Sequence, residues 1–132
     1  MVQEQVVNNQ GIGEIVLMLT GAAASTPESI SCIKTACSAA TASAYSSYTQ
    51  CTEAGLTLAT IATISASSDS FANDTVHVEH PFTAGASATV KGHMISNDDD
   101  TDLYSVCCYA GDISVESGDT ITVTHKIRGK NG

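Results

Sequence analysis

Thr120-Ile121-Thr122-Val123-Thr124-His125-Lys126-Ile127-Arg128 alternates apolar and polar residues without a break. Successive side chains of a strand point to opposite faces. Ile121, Val123, His125 and Ile127 are therefore expected inward, and Thr122, Thr124, Lys126 and Arg128 outward. The stretch follows Glu116-Ser117-Gly118-Asp119, a turn with glycine where positive φ is tolerated. Before that turn, Leu103 to Ala110 reads as a strand, and Ile113 and Val115 lead onward. Asn97 to Asp102 is an acidic turn. Ser87 to Ser96 sets Ala88, Val90 and Met94 opposite Thr89, Lys91, His93 and Ile95. Thr75 to Phe82 sets Val76, Val78, His80 and Phe82 opposite Thr75, His77 and Glu79, and Pro81 predicts an edge position or strand terminus there. Leu56 to Ala66 puts Leu56, Leu58, Ala62 and Ile64 on one face, and Ser65 to Asn73 is a polar turn region. Short strands at this spacing predict a mainly β fold, an antiparallel β-sandwich of jelly-roll-like or Ig-like type.

The N-terminal third is less regular. Residues 1–10 are polar and aperiodic, and read as an extended arm; residues 11–132 then form a single domain. Gly11 to Thr20 fits a short helix with Ile12, Ile15, Val16 and Leu19 on one face, and a buried strand equally. Gly21 and Pro27 mark a loop. Ser29 to Ser38 reads as a strand, and Ala39 to Glu53 as either an exposed loop or a short edge strand.

Composition narrows the function classes. Charged residues are 14% of the chain and the net charge is −9. Ordinary proteins carry about 25% charged residues. Ser, Thr and Ala fill the gap, which suits a surface that meets other protein surfaces, because burying an unpaired charge is costly. Five basic residues do not make a phosphate-tracking surface, so no nucleic-acid partner is expected. The longest apolar run, Ile15 to Leu19, is too short to span a membrane. It resembles the apolar core of a secretory leader, but Glu4 and Glu14 stand where such a leader is basic, so none is expected.

Asp98, Asp100 and Asp102 match the opening of a calcium loop, but Leu103 stands where glycine is needed and Tyr109 where the bidentate Glu belongs. A solvated turn is the expected reading. His77, Glu79, His80, His93 and His125 invite comparison with a metal or acid–base cluster, and His77 and Glu79 share a strand face. No nucleophile motif or phosphate loop accompanies them, and His80 and His125 read as core or rim histidines. Neither a cofactor nor a small-molecule substrate is expected. Asn73-Asp74-Thr75 fits a glycosylation acceptor by chance. The five cysteines, Cys32, Cys37, Cys51, Cys107 and Cys108, are either reduced core residues or disulfide partners with one left over. Adjacent Cys107 and Cys108 point to opposite faces, so they do not pair with each other, and one of them is a candidate to face outward.

The second half resembles small virion structural proteins of tailed bacteriophages. That group has a GL-x-RATAT strand, an NDT-x-x-x-x-HTFTA strand, a G-x-FN segment and a terminal L-x-x-GDTL-x-VT-x-K hairpin. Here Gly55 to Thr63, Asn73 to Ala84, Met94 to Asn97 and Val115 to Lys126 follow in the same order. The resemblance implies a non-enzymatic capsid decoration, neck or tail subunit whose partners are copies of itself and other virion proteins. It also implies a protein made in a reducing cytoplasm that works outside the cell, where disulfides persist. Other readings are an extracellular filament or pilus subunit, a sugar-binding module of a tail fibre, and, last, a small hydrolase.

Overall fold

The computed structural model describes residues 4–22, 27–35, 37–40, 44–57, 59–60, 63–67, 75–97 and 102–128. In chain order these form β1 (Glu4–Val7), α1 (Asn9–Thr20), β2 (Ser29–Ile33), β3 (Ala59–Thr60), β4 (Thr63–Ser67), β5 (Thr75–Thr83), β6 (Ala88–Ser96), β7 (Leu103–Val115) and β8 (Thr120–Arg128). They make two antiparallel sheets, one ordered β1-β7-β6-β2-β3 and the other β4-β5-β8.

The first sheet is covered on both faces. Ile30, Cys32, Ile95 and Tyr104 from this sheet join Val78 and Phe82 of β5 and Val123 of β8 in one apolar cluster. Ile33, Met94, Val106 and Cys108 point away from it and pack with Tyr48, Cys37 and Ala39 of the segment after β2. That double cover is why β2 is buried at every position and why β6 and β7 lose their alternation near Gly92–Ser96 and Leu103–Cys108. The described residues of the 39–53 segment, 39–40 and 44–53, open in the sequence between loop and edge strand, form a covering loop. It contains two short 3-10 turns, Tyr45–Ser47 and Thr52–Ala54, and a single bridge between Ile33 and Gln50.

Two turns carry the chain between sheets, and they are tied together. Ala84, after β5, donates its N–H to Asp119 O at 2.8 Å, and Gly118 N–H donates to Ala84 O at 2.7 Å. Gly118 has φ 95°, as the turn chemistry requires. β7 and β8 thus flank a corner between sheets; they do not pair as a hairpin. The Leu56–Ala66 run also divides, with β3 in one sheet and β4 in the other. Leu58 and Ala62 lie outside the described residues. Pro81 sits on the central strand of its sheet, yet the pairing of β4 with β5 runs only from Ser67↔Thr75 to Thr63↔Glu79. Among the described residues Pro81 has its pairing partner, Thr122, in β8.

At the N-terminus one expectation changes and one open reading is settled. Glu4–Val7 of the expected arm is an edge strand of its own chain's sheet, in register from Glu4↔Cys108 to Val7↔Ser105. The helix exists, ending at Gly21 with φ 72°. Its apolar stripe, however, faces solvent rather than the core. The helix is seated through Gly11 instead, where an added Cβ would meet the Tyr104 backbone at 2.6–3.0 Å. Asn8 N–H donates to Tyr104 O, its Nδ2 to Ala40 O, and Leu103 N–H donates to Gln10 Oε1.

Gly92 tests the tight packing of this sheet. A Cβ there would lie 2.4 Å from Cys107 O and 3.1 Å from Cys37 Sγ. Gly92→Ala is expected to cost about 1–3 kcal/mol in urea unfolding through overpacking. Gly13→Ala, with nothing within 4 Å of its Cβ, is expected to gain up to about 1 kcal/mol from helix propensity. Equal effects from the two substitutions would refute this account.

Candidate functional site

The inward face of β8 brings His125 against His93 of β6, across the gap between the sheets. His93 Nε2 lies 2.7 Å from His125 Nδ1, His93 Nδ1 lies 2.8 Å from Tyr109 Oη, and His125 Nε2 lies 2.8 Å from Ser105 Oγ. Ser105 Oγ in turn lies 2.6 Å from Val6 O. His93, His125 and Ser105 are buried.

Donor counting fixes every proton in this chain. A carbonyl cannot donate, so the single Ser105 hydrogen goes to Val6 O. Ser105 Oγ must then accept from His125 Nε2–H. A neutral His125 has Nδ1 as acceptor and takes the proton of His93 Nε2–H. His93 Nδ1 is left to accept from Tyr109 O–H. Five residues on four strands (β7, β6, β8 and β1) are linked by hydrogen bonds that all run in one direction.

The electrostatics agree with neutral rings. Burial, with a smaller contribution from His125, pulls His93 down to about 3, and burial pulls His125 down to about 4. Burial first, then neighbouring Cys32, Cys107 and Cys51, pushes the Tyr109 phenol above its ordinary value, so it stays a donor. The thiols around it are inert: burial raises Cys32 to about 12, and burial with Glu53 raises Cys51 to about 11.

The order Ser–His–His mimics nucleophile, base and orienter, but the protons are wrong for that chemistry. His125 presents N–H to Ser105 and cannot take its proton, and the hydroxyl is already committed to Val6 O. No solvent-exposed surface of Ser105 remains for a substrate. The hydrogen-bond chain from Tyr109 to Val6 thus clasps the two sheets together.

The other sequence candidates fall elsewhere. His77 Nε2 lies 3.9 Å from Glu79 Oε2 on the partly exposed face of β5. His80 packs edge-on against Phe82, with ring centroids 4.6 Å apart. Neither joins the His93–His125 pair. Asp98 and Asp100 lie outside the described residues, as do Asn73 and Asp74. Asp102 closes its turn by donating N–H to Asn97 Oδ1 at 3.1 Å. Among the described residues, no group of three His, Cys, Asp or Glu is placed to hold a metal ion.

Of the five cysteines, Cys37 and Cys108 form a disulfide within the chain, with Cα atoms 5.5 Å apart. Cys32, Cys51 and Cys107 are buried and lie outside any disulfide. The expectation that Cys107 or Cys108 faces outward is overturned, because both faces of β7 are covered at that point.

Sequence reasoning placed His125 inward but missed its partners. His93 and Ser105 sit on strands of the other sheet, and only the stacking of the sheets brings them into contact. The one available signal was a histidine on an apolar face, which demands a buried partner. Comparison with protein families, curated proteins and solved structures finds no match to this chain.

Acid should open the clasp. The unfolded histidines titrate near 6.5, while the folded ones resist protonation down to about 4 and 3. Between those values the unfolded chain binds more protons, so stability is fully present above pH 6.5 and is lost as pH falls. Each histidine contributes a slope of up to about 1.4 kcal/mol per pH unit. Urea midpoints measured from pH 8 to 4 should fall below pH 6.5, and fall less steeply in His125→Gln. A wild-type profile as flat as the variant's would sink the assignment.

Proposed function

We propose that this chain is a non-enzymatic structural subunit of a tailed-bacteriophage particle, a capsid decoration, neck or tail component. It is made in the host cytoplasm and works on the particle outside, with copies of itself and other particle proteins as partners. In this reading the two sheets form a β-sandwich of Ig-like or jelly-roll-like type. The N-terminal arm, an edge strand with one neighbour, is the segment best placed to exchange between subunits.

The observation that carries the reading is the Cys37–Cys108 disulfide, which pins the covering segment after β2 onto β7 across 71 residues of sequence. A clasp of that kind suits a protein whose working life lies outside a reducing compartment. The resemblance of about residues 55–128 to virion proteins gives the kind of particle. The clasped, solvent-excluded histidine pair supports a structural role for the polar core.

The chain should be found in purified particles by mass spectrometry; its absence there would remove the reading. In protein from such particles, no thiol should label in the native state, and three should label after denaturation without reductant. Reduction should lower stability by about 4 kcal/mol for a closed loop of this length. Five reactive thiols in the denatured, unreduced protein would show that the clasp is not formed on the particle.

A further inference from the structure

α1 presents an apolar face to solvent. Ile12, Ile15, Val16, Leu17, Met18 and Leu19 are all exposed, Leu19 at 82% and Val16 at 53%. Gly11 is the helix's buried residue, pressed on the Tyr104 backbone. The contacts of Asn8, Gly11 and Gln10 with β7 and Ala40 fix the rotation of the helix, so this outward face is set by specific seating. Ile12, Ile15, Val16 and Leu19 share one helical face, with Met18 at its edge and Leu17 to the side; single exposed apolar residues are ordinary, but a contiguous helical face of this kind is a docking surface.

We infer that α1 is the contact by which a second copy of this chain docks, α1 against α1 about a twofold axis. Three observations select this occupant. Among the described residues, the other large exposed hydrophobics are Val76 and Ile113, one on β5 and one on β7. Among the described residues a second copy therefore offers no apolar helical face to match α1 except its own α1, and a self-complementary patch is what a twofold contact requires.

Charge supports the same choice. α1 carries Glu14 and no Lys or Arg, while the chain carries −9 overall. Two such chains repel, so they must meet on a face almost free of charge. A helix that lies on an anionic lipid surface instead needs basic residues along its polar face.

Size fits a weak contact. On that face the exposed fractions of Ile12, Ile15, Val16, Met18 and Leu19 amount to between two and three whole apolar side chains per copy, on the order of 350 Å² of apolar surface. Pairing two copies covers on the order of 700 Å², the size of a weak, transient interface. The contact is a reversible dimer, and it does not depend on the particle reading.

Sedimentation equilibrium of the full chain from about 1 μM to about 1 mM tests it. The expected result is a reversible monomer–dimer equilibrium, weakened at least tenfold by Val16→Glu with Leu19→Glu and unchanged by Ile113→Glu. The neutral pair Val16→Gln with Leu19→Gln should weaken it in the same direction, and circular dichroism should match wild type throughout. Two results overturn the inference. One is a monomer at every concentration, with or without binding to phosphatidylcholine vesicles. The other is a dimer indifferent to both α1 variants. Absence of the protein from particles would leave this inference standing, and a monomer would leave the particle reading standing.

Discussion

The hydrogen-bond chain from Tyr109 through His93, His125 and Ser105 to Val6 O constrains everything around it. Two imidazoles in direct contact, shut away from water, persist only if each is neutral and each nitrogen has a matching partner. That requirement sets the spacing of the two sheets at β6 and β8. It also places Ser105 inward on β7 and calls for a backbone acceptor beyond it. Strand β1 supplies that acceptor, so the N-terminal segment completes the polar core as well as the sheet edge.

The rest of the packing follows from covering one sheet twice. β2 and the Gly92–Ser96 and Leu103–Cys108 stretches of β6 and β7 are buried on both faces, so their residues cannot follow a simple inside–outside alternation. One face meets the second sheet, and the other meets the segment around Cys37, Tyr45 and Tyr48. The disulfide holds that segment where its own apolar content is thin. Gly92 lets it sit there, because any side chain would strike the Cys107 carbonyl and the Cys37 sulfur.

The polar clasp and the apolar helix divide stability from association. The clasp uses groups that water must not reach, and it leaves none of them available for chemistry. The helix uses residues that water does reach, held in place by a glycine and by backbone hydrogen bonds at one end. Self-association and internal stability therefore rest on different residues, and each responds to different conditions.

The sequence by itself determined the local elements. β8 was legible because one face is buried and one is solvated, so composition alternates with the strand period. The turn at Gly118 was legible because only glycine fits that φ without strain. Residues 12–19 were open in the sequence between a helix and a buried strand, and the direction of their apolar stripe was not legible either, since such a stripe looks the same whether it faces a core or a partner. Tertiary structure alone decided the pairing of His93 with His125, the choice of Cys37 for Cys108, and the split of residues 56–66 between two sheets. Each of those depends on which surfaces the sheets bring together, and separations of 32 and 71 residues leave no local trace of such contacts.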